Sequence, residues 1–110
     1  MEKKKELPLC PVETTVGLIS NKWKILILRE LLKGTKRFGE LRSGIDGISQ
    51  KVLTQNLRSM EEDGIIQRHA YPEVPPRVEY SLSDLGETLK PIISSMEQWG
   101  LGYQEMINNG

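Results

Sequence analysis

The sequence predicts a mainly α-helical fold with a small β-hairpin, and three stretches carry that expectation. Within 49–63, Leu53, Leu57 and Met60 recur at i, i+4 and i+7, one face of a helix of about four turns. Over 77–82 the period drops to two, with Val78, Tyr80 and Leu82 on one side and Arg77, Glu79 and Ser81 on the other. Further on, Leu85, Leu89, Ile92, Met96, Trp99, Tyr103 and Met106 alternate spacings of four and three, a helical seam of about three heptads. In 110 residues these elements fit one domain, 1–110, whose core is too small for a deep, lidded substrate cavity.

Taken in order, 1–9 reads as a flexible leader and Lys3-Lys4-Lys5 as its frayed basic part. Cys10-Pro11-Val12-Glu13 starts a short helix that runs through 14 to 19, because proline suits the first helical position and glutamate the first turn. Asn21 caps a second helix, 22–32, in which Trp23, Ile25, Leu26, Ile27, Leu28, Leu31 and Leu32 leave little polar face. Such a helix belongs at the centre of the domain. After Gly34, Phe38-Gly39-Glu40-Leu41-Arg42 supplies about two helical turns that pack through Phe38, Leu41 and Ile45. Gly44, Asp46 and Gly47 connect it to the 49–63 helix, which Ser49 caps and Gly64 stops. A short helix, a glycine turn and a polar-faced helix make a helix-turn-helix.

The segment 65–71 suits a strand, although alternation does not decide whether Ile65 or Ile66 faces the core. Pro72, Pro75 and Pro76 separate it from 77–82 as a stiff loop, and a hairpin after these helices is the wing of a winged helix-turn-helix. Ser83 caps the closing helical region, 83–110. Pro91 predicts a kink or break near Leu89, and Gly100 and Gly102 are expected to loosen the far end. Ile25, Leu28, Leu41, Leu53, Leu57, Val78 and Tyr80 already serve a core of this size, which leaves the seam over. Its simplest cover is a second copy, with Val12, Leu89, Ile92, Met96, Trp99, Tyr103 and Met106 in a homodimer interface; the other possibility is that the seam folds back over its own domain.

Function is most legible on the outer face of the 49–63 helix. Ser49, Gln50, Lys51, Thr54, Gln55 and Arg58 gather hydroxyls, amides and cations there, with no acid until Glu61, whereas solvated faces ordinarily mix both signs. Gln can bond adenine bidentately, Arg and Lys can bond guanine or phosphate, and Thr can touch a base methyl, so the face suits the major groove of double-stranded DNA. A polar face with a chance cluster of charges is the bland alternative. The zero net charge hides a polarised chain. Lys22, Lys24, Arg29, Lys33, Lys36, Arg37, Arg42, Lys51 and Arg58 outnumber Glu30, Glu40 and Asp46, while after position 83 Asp84, Glu87, Glu97 and Glu105 face only Lys90. Arg37 and Arg77 are the candidates for phosphate or minor-groove contact, Arg77 being carried by the stiff proline loop.

Other chemistries find little support. No paired carboxylates, no nucleophile beside a base and no phosphate-binding glycine loop occur, so an enzyme is not expected, and neither is a cofactor. One cysteine and one histidine, His69 on a wing strand, do not make a metal site. No apolar run is long enough to span a membrane and no signal peptide is evident, which predicts a cytoplasmic protein. The competing class is a winged-helix module for protein recognition, which would show no steep salt dependence towards duplex DNA. Cys10 is the one residue with reactive potential: a thiol at a helix start feels the positive end of the helix dipole, which favours thiolate. It could equally be a small apolar side chain in an interface. The residues do not reveal a small-molecule effector.

Cys10-Pro11-Val12-Glu13, the run Lys22-Trp23-Lys24-Ile25-Leu26-Ile27-Leu28-Arg29-Glu30-Leu31, Arg37-Phe38-Gly39-Glu40-Leu41, Gly47-Ile48-Ser49-Gln50-Lys51 and Tyr71-Pro72-Glu73-Val74-Pro75-Pro76-Arg77-Val78-Glu79-Tyr80 together resemble the HxlR-type, MarR-like winged helix-turn-helix regulators of bacteria. The resemblance extends over nearly everything from Cys10 to Gly100. It implies a dimer, joined through its first and last helices, that binds a partly palindromic operator and represses or activates nearby genes. It also implies a possible role for Cys10 in sensing oxidants or electrophiles, since similar proteins use a cysteine at this place. One departure is Ser20-Asn21, where the family often has glycines.

Overall fold

The computed structural model describes residues 6–109. The Lys3-Lys4-Lys5 part of the expected leader and the last position of the closing region lie outside the described residues. The elements are α1 (Pro11–Ile19), α2 (Lys22–Leu31), β1 (Lys36–Arg37), α3 (Phe38–Gly44), α4 (Gln50–Glu62), β2 (Ile66–Tyr71), β3 (Arg77–Leu82), α5 (Asp84–Glu87) and α6 (Lys90–Asn109).

Helix boundaries follow local chemistry. Asn21 caps α2 by accepting the Lys24 N–H at 2.9 Å, and Ser49 caps α4 by accepting the Val52 N–H at 3.1 Å. Gly47, at φ +80°, turns the chain between α3 and α4 in a conformation that a side chain would strain. Pro91 falls in the first turn of α6, where its missing N–H costs nothing, so the chain breaks cleanly at Thr88 and Leu89 instead of kinking. The expected loosening at Gly100 and Gly102 does not occur. Neither glycine adopts a positive φ, and the helix runs unbroken to Asn109.

The sheet has one strand more than the expected hairpin. β1 pairs antiparallel with β3, Lys36 opposite Tyr80 and Arg37 opposite Glu79, giving the order β1-β3-β2. Two residues of strand carry no periodicity, so sequence pattern could not reveal it. Between β2 and β3 the register runs from Ile66 opposite Leu82 to Tyr71 opposite Arg77. Ile65 and Ile66 are both buried, Ile65 in the turn that leaves α4 and Ile66 as the first strand residue. Only Tyr80 of the alternating β3 set is fully buried; Val78 and Leu82 are half-buried, as are Arg77, Glu79 and Ser81 opposite them.

Ile27, Leu28, Leu41, Ile45, Leu53, Leu57 and Met60 form the centre of the core. α2 lies against it through Ile27, Leu28 and Leu31, while Trp23, Ile25, Leu26 and Leu32 only border it, so the helix is less completely enclosed than its composition suggests. In α6 Ile93 is buried, and just before α6 Leu89 packs on the same core; the seam therefore turns Leu89 inward, not outward as a partner-facing position.

One charged cluster fastens α2 to α3. The buried Glu30 carboxylate meets Arg29 Nε at 3.0 Å and Lys33 Nζ at 2.9 Å, and Arg29 also donates to the Gly44 carbonyl at 3.1 Å. Gly44 permits this approach, since a Cβ there would meet Glu30 Oε1 at 2.6 Å. Burial pushes the Glu30 carboxyl up, but the hydrogen bonds and charges of Lys33 and Arg29 outweigh it and hold the group below its ordinary 4.5. Stability from this site is therefore complete above 4.5 and is lost as pH falls through the lowered value. Because both cations are partly exposed, Glu30→Gln is expected to cost only about 1–2 kcal/mol at neutral pH. Urea unfolding of the two proteins should show that gap closing as the pH drops below 4.5; a gap constant across the range would contradict this account.

Candidate nucleic-acid interface

α4 is gripped on one side and open on the other. Leu53, Asn56, Leu57 and Met60 are buried, while Gln50, Lys51, Gln55 and Arg58 are exposed and Thr54 is half-exposed. The exposed set lines a shallow concavity of about 540 Å³ together with Thr54. The Ser49 oxygen is occupied as the helix cap, which leaves its proton for an outside acceptor at the positive end of the helix. Thr54 donates its hydroxyl to the Gln50 carbonyl at 2.8 Å, so its proton is already used within the helix.

A second cleft, of about 560 Å³, lies between α4 and the sheet. Phe38, Leu57, Val78 and Tyr80 supply apolar lining, and Gln50, Thr54, Arg58, Glu61 and Arg68 line it with polar groups. Arg68 was missing from the sequence-derived candidates. It pairs across β2 and β3 with Tyr80, which places it on the sheet face that lines this cleft. The available signal was alternation from Ile66, since Ile66 and Arg68 share a face.

The expected backbone cations behave differently from each other. Arg37 is exposed at the start of α3, its backbone N–H donating to Glu40 Oε1 at 2.8 Å. Arg77 is half-buried, with 31% of its side chain still exposed. Its register opposite Tyr71 lays the guanidinium over that ring at 4.1 Å, and two carboxylates close around it: Glu73 Oε2 at 2.9 Å from Nε and Glu79 Oε2 at 3.6 Å from NH1. The Glu73 contact is an ion pair off the N–H axis, which leaves the buried Nε without an aligned hydrogen bond. Arg77 thus shapes the wing, and its charge is locally compensated.

The remaining predicted residues sit apart from this face. Cys10 is exposed immediately before α1, its thiol making no capping bond. Val12, Val16, Ile19, Ile25, Ile92 and Met96 line an apolar groove of about 480 Å³. Farther along α6, Trp99 stacks on Tyr103 at 5.5 Å, and Trp99, Tyr103 and Met106 are exposed. Among the described residues no group of three or more His, Cys, Asp or Glu could hold a metal, and no helix is long and apolar enough to cross a membrane.

Known proteins share this arrangement. The model of the HxlR-like helix-turn-helix family matches residues 18–108. The HTH-type transcriptional regulator YdeP of Bacillus subtilis (strain 168) is 48% identical over 99 residues, spanning 90% of this chain and 77% of YdeP. The redox regulator HypR in its reduced form is similar with a TM-score of 0.85 and 42% identity, over 92% of this chain and 100% of that one. The reduced form of the transcriptional regulator YodB from B. subtilis gives 0.73 and 35%, over 84% and 91%. With a family match along most of its length and similar regulators covered over most of theirs, this chain belongs to the HxlR-like helix-turn-helix family of transcriptional regulators, a class that is not enzymatic.

Proposed function

We propose that the protein is a sequence-specific DNA-binding regulator that reads an inverted-repeat operator as a homodimer, with Cys10 as a thiol control point. The observation that carries the reading is the exposed face of α4 from Gln50 to Arg58, which holds no acid before Glu61, opposite a gripped inner face. Gln50, Lys51, Thr54, Gln55 and Arg58 contact bases in the major groove, and Ser49, Arg37 and Arg68 contact the backbone. Arg77 holds the wing in shape for them. In a two-fold dimer the two α4 helices enter successive major grooves about 34 Å apart, which requires an inverted repeat.

The apolar surface supports the dimer. Val12 is 69% exposed and Trp99 72%, in line with Ile92, Met96, Tyr103 and Met106, a larger run of apolar side chains than isolated domains usually leave in water. Cys10 stands at the start of the same α1 that borders the apolar groove. HypR and YodB lend weight to thiol control, HypR being described as a redox regulator with oxidised and reduced forms. With one cysteine per chain, oxidation of two Cys10 thiols across a dimer forms one S–S bond, and an oxidant such as diamide or a quinone takes up the two protons and two electrons. A mixed disulfide or a sulfenic acid is the alternative product.

Selection from a randomised duplex pool should return an inverted repeat, and recovery of unrelated sequences would count against the reading. Within that repeat, Gln55→Ala should relax preference at one base position per half-site, by about 1–3 kcal/mol. Arg68→Ala should instead weaken binding to all duplexes and reduce the salt slope by about one. Sedimentation should show Met96→Glu as a monomer at concentrations where the unmodified protein is dimeric. Diamide should change the DNA affinity of the unmodified protein and leave Cys10→Ser unaffected; equal responses would remove Cys10 from the account.

A further inference from the structure

We propose that Asn21 is a positioning residue for base reading: its carboxamide fixes the rotation of α4 relative to the junction of α1 and α2. The proposal rests on α4 being the DNA-reading helix. Asn21 Oδ1 accepts the Lys24 N–H at 2.9 Å, and Asn21 Nδ2 donates to Asn56 Oδ1 at 3.1 Å. Asn56 Nδ2 in turn donates to the Val52 carbonyl at 2.8 Å. Each carboxamide is used at both ends, so the chain of bonds has no slack. The bond is part-buried: Asn56 is only 9% exposed and shelters its end of it, while Asn21 stands at the surface.

The other contacts between α2 and α4 share this task but are not directional. Leu53, Leu57 and Met60 join the core with Ile27, Leu28 and Leu31, and apolar packing resists separation more than it resists slippage. A hydrogen bond is directional. This one meets α4 at Asn56, whose Nδ2 is pinned within the helix to the Val52 carbonyl, one residue beyond Lys51 and two before Thr54. For side chains extending about 6 Å from the axis, a 10° rotation of the helix displaces their tips by roughly 1 Å. Productive recognition geometry tolerates only about 0.5 Å, so a small rotation is enough to spoil a bidentate base contact. Asn21 also follows Ser20, which lines the apolar groove with Val12, Val16, Ile92 and Met96. One residue therefore ties the surface proposed for dimerisation to the helix proposed for reading.

Asn21→Ser separates two roles of the residue. Serine caps a helix about as well as asparagine but is too short to reach Asn56. The test compares the unmodified protein, Asn21→Ser, Asn56→Ala and the double variant on the duplex the unmodified protein selects from a random pool, and on a scrambled duplex. Asn21→Ser should bind the selected duplex about fivefold more weakly, with scrambled binding and salt slope nearly unchanged, and the bond lost from the fold should lower the melting temperature by only a few degrees. In the Asn56→Ala background Asn21→Ser should have no further effect on the preference. Undiminished preference in Asn21→Ser, equal weakening on both duplexes, or the same loss in both backgrounds each overturns the proposal. If the unmodified protein selects no sequence, the DNA reading itself fails, and the positioning role falls with it; a selected sequence with an unaffected Asn21→Ser sinks the positioning role alone.

Discussion

A helix of 13 residues can offer side chains to a groove only if its opposite face is held, and the burial of Leu53, Leu57 and Met60 is the constraint from which the rest of this fold follows. Fully burying a leucine or methionine is worth about 1.5–3 kcal/mol each, enough for three of them to seat α4 but not to choose its exact rotation. Polar groups take over there. Ser49 at the start of the helix and Asn56 at its middle give it directional anchors, and Asn56 is itself held by Asn21. Apolar area supplies most of the adhesion and hydrogen bonds supply the aim.

Charge is handled the same way, by placement and not by amount. A chain of zero net charge cannot attract a polyanion as a whole, so recognition depends on where the counter-charges are spent. Glu30 is consumed by Arg29 and Lys33 between α2 and α3, and Glu73 and Glu79 by Arg77 in the wing. These acids are occupied away from the outer face of α4, where Lys51 and Arg58 stand exposed. Arg77 shows the cost of reading a cation from sequence alone. An arginine in a stiff loop has the chemistry of a phosphate ligand, and two acids within four residues on either side convert it into a structural bracket.

The helices, their caps and the two long strands were legible because periodicity and capping chemistry are local. Leu53, Leu57 and Met60 announce a face without help from distant residues, and so do Asn21 and Ser49 as caps. What escaped depends on partners far along the chain. β1 exists only because β3 offers it an edge at Tyr80 and Glu79, and Arg68 joins the cleft only through its register opposite Tyr80. The Asn21 to Asn56 bond spans 35 positions and has no periodic signature at all. Leu89 was assigned to the outer seam because a heptad count passes smoothly through it, whereas the break ahead of Pro91 lets it turn inward.

α6 is long and sparsely buried. Its 20 residues make a helix of about 30 Å, of which Ile93 alone is buried. Gly100 and Gly102 lower its intrinsic helicity by about 1 kcal/mol each, and isolated helices of this length are marginal in water. Something other than propensity must hold the stretch beyond Met96, and the stacked Trp99 and Tyr103 pair is too exposed to do so alone. A second α6 laid against Ile92, Met96, Trp99, Tyr103 and Met106 would provide both the missing burial and the two-fold axis that sets two α4 helices apart. In such a dimer the order of α6 and the spacing of the reading helices are one property, because the same side chains produce both.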